Sequence, residues 1–236
     1  MKFKEIYIWE QGLRDINQDA VGIRMFVCNR ESYVLGIVCD GIGGLQKGEE
    51  ASTYIASVLL EKFFSFLEKQ KNPPGRQKIK SFLRKEIYCC HRELQMYGER
   101  KGIQSGSTLS MFFLKGKKGY WLHSGDSAVY LGKSSFGRIK RFRRISKLHQ
   151  NEKGQLVQAI GVGEYQKPQI GRFTLGKKDG ILLSTDGFYR RLEQDGQIIR
   201  NAVGSISKKE FEDMVYKIQK AGEGDNISLL CLIREE

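Results

Sequence analysis

Four aspartates, Asp19, Asp40, Asp186 and Asp225, each stand at the edge of an apolar run with Gly or Asn beside them, and a fifth, Asp126, lies in Ser124-Gly125-Asp126-Ser127. Oxygen-only ligands of this kind suit hard divalent cations such as Mg2+ and Mn2+, which prefer carboxylates on rigid strand ends and keep several waters. Asp40 closes the run Tyr33 to Cys39, apolar and β-branched enough for a buried strand. Gly41, Gly43 and Gly44 then let the backbone turn and approach an ion or its waters. The same grammar recurs where Ile181 to Thr185 runs into Asp186-Gly187. The chemistry this points to is that of a shared metal centre.

The elements that must position these carboxylates follow from periodicity. Alternation predicts strands over Glu5 to Glu10, Ala20 to Cys28 and Tyr33 to Asp40, with Glu31-Ser32 near a connecting turn. From Glu49 to Gln70 the period changes, with Ile55, Val58, Leu59, Phe63, Phe66 and Leu67 at three- and four-residue spacing, which predicts an amphipathic helix. Pro73, Pro74 and Gly75 break it, and a second helix is expected from Gln77 to about Tyr97. Further strands are expected over Thr108 to Leu114, Gly119 to His123, Ala128 to Leu131, Arg138 to Ile145, Gln169 to Leu175, Gly180 to Ser184 and Ile227 to Ile233, and a helix over Lys208 to Lys220. Many strands with helices grouped between them predict an α+β fold.

The 236 residues suffice for one large core, and no composition break divides residues 1–236, so a single domain is expected. No apolar stretch approaches the roughly 18 residues of a membrane helix. The N-terminus interleaves charge with apolar residues and carries no signal-peptide core, so a cytoplasmic protein with no membrane partner is expected. Five cysteines, odd in number and without Cys-x-x-Cys spacing, read as buried free thiols, and none opens a Cys-x5-Arg loop. Thiolate chemistry is thereby disfavoured. The net charge of +13 raises nucleic acid as a partner, but the basic residues are dispersed, with one concentration at Arg138, Lys140, Arg141, Arg143, Arg144 and Lys147. No nucleic acid is expected, and a basic rim would suit a phosphorylated protein.

The order and flanks of the five aspartates, together with Gly12-Leu13-Arg14, resemble the protein phosphatase 2C family of metal-dependent serine/threonine phosphatases, from Arg14 to Asn226. The resemblance sharpens the fold to a four-layer α-β-β-α sandwich of two antiparallel sheets flanked by helices. It implies two Mn2+ or Mg2+ ions bridged by Asp40, one of them held with help from the Gly41 carbonyl, the first also held by Asp186 and Asp225, and Asp19 supporting the cluster through its waters. Asp126 matches a residue tied to a third, weaker metal position in bacterial members. The implied reaction is hydrolysis of phosphoserine and phosphothreonine by a water bridging two cations, with no covalent phospho-enzyme. Arg14 matches the arginine that clamps phosphate, a task suited to the guanidinium fork. The implied partners are a phosphorylated protein and a cognate serine/threonine kinase, with the phosphatase a monomer.

Two departures from that family matter. Ile42 stands where animal members carry a histidine, so the leaving alkoxide is expected to take its proton from water, and His91, His123 and His149 are expected to pack rather than catalyse. The segment near 149–161 reads as a shortened flap, which leaves the cleft open and recognition dominated by phosphate, metals and nearby basic charge, with Arg141, Arg143 and Arg144 as candidates. Leu45 also replaces a commonly polar residue. The shortened flap keeps two other readings open: a phosphatase for small phosphorylated metabolites or phosphotyrosine, and a catalytically silent domain that binds phosphoproteins.

Overall fold

Sequence alternation separates strands with one wet face from strands buried on both. The computed structural model describes residues 1–28, 31–200 and 205–236. In β1 (Phe3–Glu10), Ile6 and Ile8 are buried while Tyr7 and Trp9 face outward; β2 (Asp19–Cys28) then leads to β3 (Glu31–Asp40), buried continuously from Tyr33 to Cys39. The expected turn at Glu31-Ser32 is strand, and residues 29–30 lie outside the described residues. Helices α1 (Gly48–Glu68) and α2 (Arg76–Lys101) follow, then β4 (Leu109–Lys115), β5 (Lys118–Ser124), β6 (Ala128–Ser135), β7 (Arg138–Arg144), β8 (Gln169–Thr174) and β9 (Gly180–Ser184). The chain closes with α3 (Asp186–Tyr189), β10 (Glu193–Gln194), β11 (Gln197–Ile199), α4 (Lys208–Lys220) and β12 (Ile227–Arg234). The sequence reading missed α3, β10 and β11, which are too short to show a period.

The strands form two antiparallel sheets, one ordered β1-β12-β9-β6-β7-β11-β10 and the other β2-β3-β4-β5-β8. Their facing surfaces make a dry layer of Val34, Val38, Phe112, Val129, Leu183 and Leu230 among others. Helices α1 and α2 cover the five-stranded sheet, with Leu59, Phe63, Leu83 and Ile87 against Leu35, Ile37 and Phe113. Helix α4 covers the seven-stranded sheet through Phe211, Met214, Val215 and Ile218, and α3 packs beneath it at Phe188. The expected α-β-β-α order is therefore the one observed.

Antiparallel pairing brings distant parts of the chain to one end of this sandwich. The start of β2, the end of β3, the end of β5, the start of β6, the end of β9 and the start of β12 all lie there, in register as Asp19↔Asp40, Leu109↔Ser124, Ala128↔Ser184 and Leu229↔Ser184. Each chemically marked aspartate sits on or just beyond one of those ends. Cys39, Cys90 and Cys231 are buried thiols and Cys89 is half-buried, as free cysteines packed as small apolar groups.

Candidate active site

Asp40 is fixed from its backbone. Its N–H donates to Thr108 Oγ1 at 3.0 Å, and its carbonyl accepts from Thr108 N at 2.8 Å and Ser107 Oγ at 2.8 Å. Gly41 N donates to Gln18 O at 3.0 Å, and a Cβ at Gly41 would lie 2.3 Å from Gly48 O, so only glycine lets α1 start this close to the β3 end. Across the strand pair, Asp19 is buried, with Oδ2 accepting from Thr185 Oγ1 at 3.1 Å and Oδ1 left without a partner.

The β1–β2 loop brings Arg14 over this pair. Gly12 turns with φ +65°, and a Cβ there would meet Asp225 O at 2.1 Å, so the loop lies flat on the Asp225 backbone. Asn226 clasps the loop: its Nδ2 donates to Gln11 O at 2.7 Å and Ile16 O at 3.2 Å, and its Oδ1 accepts from Gln18 N at 2.9 Å. Arg14 Nε donates to Asp225 Oδ1 at 3.0 Å, and its half-exposed side chain carries Nη1 toward Gly43. On the far side Arg190 Nη2 contacts Asp186 Oδ2, four residues back along one helical turn. Asp126 accepts from Gln150 Nε2 at 3.0 Å on Oδ2 and from Tyr189 OH at 2.6 Å on its carbonyl.

The sandwich end thus gathers all the sequence-marked residues, Arg14, Asp19, Asp40, Gly41, Asp126, Asp186 and Asp225. Their carboxylates do not converge on a single point: among the described residues no three His, Cys, Asp or Glu side chains come together closely enough to hold an ion. Arginines occupy two of them. Burial, with repulsion from neighbouring aspartates, holds Asp40 well above the usual carboxylate range. Burial pushes Asp19 up to about 7 against neighbouring hydroxyls that pull it down, and Asp186 up to about 6 despite Arg190. Clustered carboxylates that resist ionisation, one with a buried oxygen lacking a partner, fit a hard divalent cation. The oxygen-only donor set fits the same ion.

The histidines behave as expected from sequence. Burial holds His123 down to about 3, and its Nδ1 meets Ser110 Oγ at 3.0 Å. His149 is tied both ways to Gly125, accepting Gly125 N on Nδ1 at 3.0 Å and donating its own N–H to Gly125 O at 2.8 Å, which props the Asp126 turn. His91 Nδ1 accepts from Gly161 N at 3.1 Å and anchors the end of the 149–161 segment. Sequence reasoning missed Arg190, Gln150, Thr185 and the Asn226 clasp. Only Arg190 left a usable signal, its i,i+4 spacing from Asp186.

The sequence profile of the family described as Protein phosphatase 2C matches residues 13–225, and the chain belongs to that family. It is 25% identical over 241 residues to the serine/threonine phosphatase stp of Listeria welshimeri, covering 94% of this chain and 92% of that one. The fold superposes on the serine/threonine phosphatase Stp1 from Staphylococcus aureus with a TM-score of 0.80 at 19% identity, covering 100% of this chain and 96% of that one. It also matches the catalytic domain of the serine/threonine protein phosphatase PstP in complex with two manganese ions, with a TM-score of 0.69 at 18% identity over 98% of this chain and 97% of that one.

Asp19 gives a pH prediction. Its folded pKa is raised, so its contribution to metal-free stability is full below the ordinary value near 3.8 and is lost as pH rises through about 7. His123, held low by burial, imposes the opposite slope, so a variant must isolate the carboxylate. In EDTA, Asp19→Asn is expected to melt above the unsubstituted protein at pH 8, by on the order of a few kcal/mol, with the gain shrinking toward pH 5. Thermal melts of both proteins across that range check it; a gain that grows on acidification contradicts it.

Arg190 gives a second. A cation binding beside Asp186 must displace the guanidinium, so Arg190→Ala is expected to bind Mn2+ several-fold more tightly by calorimetry while its metal-free melting temperature falls. Weaker Mn2+ binding by the variant would show that Arg190 does not compete with the ion.

Proposed function

We infer that the protein is a metal-dependent phosphatase that hydrolyses phosphoserine and phosphothreonine in proteins. The observation that carries this is the gathering of five aspartates from separate chain segments at one sandwich end, with burial raising three of them above their ordinary range. Divalent cations, when bound, supply an acidified water as nucleophile and neutralise phosphate oxygens as the ester bond breaks. Two such ions would be held by Asp40, with the Gly41 carbonyl helping to hold one of them, by Asp186 and Asp225 for the first, and by Asp19 through their waters. Asp126, steadied by Gln150, is the candidate for a third ion. Manganese or magnesium suits these donors equally.

Arg14 binds the substrate. With Nε on Asp225 and no hydrogen bond from its two terminal nitrogens among the described residues, the guanidinium keeps a fork that matches two phosphate oxygens. The geometry adds to the sequence reading here, because Arg14 also steadies Asp225 and so touches both phosphate and metal binding. The leaving alkoxide takes its proton from water, since His91, His123 and His149 are committed to Gly161, Ser110 and Gly125. We place the enzyme in the cytoplasm as a monomer opposing a serine/threonine kinase. Consistent with that placement, among the described residues no helix is long and apolar enough to cross a membrane.

Hydrolysis of a phosphothreonine peptide is expected to vanish in EDTA and return with Mn2+, and Asp40→Asn is expected to lose nearly all turnover at any Mn2+ concentration. Full activity in EDTA, or near-normal turnover by Asp40→Asn, would refute the assignment. Arg14→Ala is expected to raise KM for the phosphopeptide by about ten- to hundred-fold, the range of a charge-assisted pair. Arg14→Lys is expected not to restore KM, since a point charge lacks the fork. Unchanged steady-state kinetics in Arg14→Ala would return this arginine to a purely structural role.

A further inference from the structure

The seven-stranded sheet has two more strands than the sheet it faces, and β7 carries β11 and β10 outside it. Where the sheets overlap, the inner face is Val129, Ile181, Leu183 and Leu230. At the rim of that layer the same sheet opens into a groove of about 520 Å³, lined by Leu131, Lys133 and Ser135 of β6, by Lys140, Arg141 and Arg143 of β7 and by Ile145 just after it, with Leu131 and Ile145 still packed against the dry layer. An inner sheet face that turns from apolar to cationic cannot pack against another apolar layer. It is suited to water or to an anionic partner.

One of the charges lining this groove is already neutralised, Lys133 pairing with Asp179 at 2.8 Å. Arg144, on the opposite face of β7, pairs with Glu193 at 3.0 Å, and Arg190 and Arg191 pair with Asp186 and Glu223. Among the described residues Arg143 has no carboxylate partner, and Arg141 makes one bond, to the neutral Gln197 Oε1 at 3.1 Å. Three arginines that read alike in the sequence thus divide two to one. Arg144 supports the fold, while Arg141 and Arg143 offer free charge.

The groove also borders an open sheet edge. β8 pairs with β5 on one side only. One end is tied to the groove wall, Lys133 Nζ donating to Thr174 O at 2.8 Å, and the other to the segment after β7, Lys147 N donating to Gln169 Oε1 at 2.9 Å. An open edge strand presents backbone donors and acceptors that an extended peptide can complete. Its start, Gln169, lies opposite His123 next to the active-site end of β5, and Leu131 is only three residues beyond Ala128. At about 3.3 Å per residue the groove begins roughly 10 Å from the metal-binding end.

We propose that this groove docks an acidic, extended segment of the phosphoprotein substrate, which adds as a strand to the free edge of β8 and sets its carboxylates against Arg141 and Arg143. The proposal rests on the phosphatase reading and names what part of the substrate the enzyme recognises besides the phosphate. Recognition by backbone pairing and charge selects acidic segments without fixing an individual sequence. It assigns recognition to Arg141 and Arg143 and leaves Arg144 to its pair with Glu193.

The test uses the full chain with Mn2+ and phosphothreonine peptides carrying Glu-rich flanks or matched Gln-rich flanks on either side, with p-nitrophenyl phosphate as a small substrate. The Glu-flanked peptide is expected to have at least tenfold higher kcat/KM, through KM, at 0.1 M salt, and this advantage is expected to shrink toward 1 M. Arg141→Glu with Arg143→Glu is expected to erase the advantage, leaving p-nitrophenyl phosphate turnover unchanged; Arg141→Gln with Arg143→Gln gives the same reading if charge reversal unfolds the protein. Methylating alternate backbone amides of the Glu flank is expected to raise KM as well. Equal rates for both flanks, or an advantage that survives the substitutions, overturn the docking surface while leaving the phosphatase intact. Failure to hydrolyse any peptide or the small ester refutes the phosphatase reading itself. A single-stranded oligonucleotide that binds the groove arginines while the unphosphorylated Glu-rich peptide does not would assign the surface to nucleic acid and overturn the proposal.

Discussion

Burial of several carboxylates at one end of the sandwich, with repulsion among them, is the constraint on which the site depends. At an effective dielectric constant of about 20, two unit charges about 4 Å apart interact by about 4 kcal/mol, and burial adds a desolvation cost. Asp19, Asp40 and Asp186 answer that cost by holding their protons above the ordinary range, and Asp186 and Asp225 answer it by drawing in Arg190 and Arg14. Divalent cations answer it more completely, because their charge lies between the carboxylates while each arginine reaches only one. The arginines thus stand in for positive charge beside Asp225 and Asp186.

The fold withstands this repulsion because it fixes the aspartates by their backbones. Asp40 is locked by Thr108 and Ser107, Asp19 by its pairing across β2 and β3, and the Arg14 loop by Asn226. Each fixing residue lies at the start or end of a strand whose other residues are buried in the dry layers. The sandwich supplies the rigidity, and the strand ends supply the chemistry. The open face of β7 shows the converse: where the second sheet stops, charge replaces apolar contact and a recognition surface begins.

Much of this was legible in the sequence because the signals were local. The run into Asp40-Gly41 and the run into Asp186-Gly187 marked both strand ends, and the stripe Phe211, Met214, Val215 and Ile218 marked α4 over the observed residues. What escaped depended on partners far away in the chain. Asn226 is recognisable as a clasp only once Gln11 and Ile16 are seen beside it, and Arg144 differs from Arg143 only through Glu193. The hairpin of β10 and β11 was a local miss, since Asp195-Gly196 between them, both at positive φ, is a recognised hairpin turn signal. The strands beside it were too short for alternation to be seen.

The most direct test of the central claim is a crystal structure of the protein grown with Mn2+, with anomalous scattering used to place the ions. The account predicts two manganese peaks about 3.5–4 Å apart, with Asp40 touching both, Asp186 and Asp225 on one of them, and Arg190 withdrawn from Asp186. Manganese bound away from Asp40, or Arg190 still seated on Asp186 beside a filled site, would contradict it.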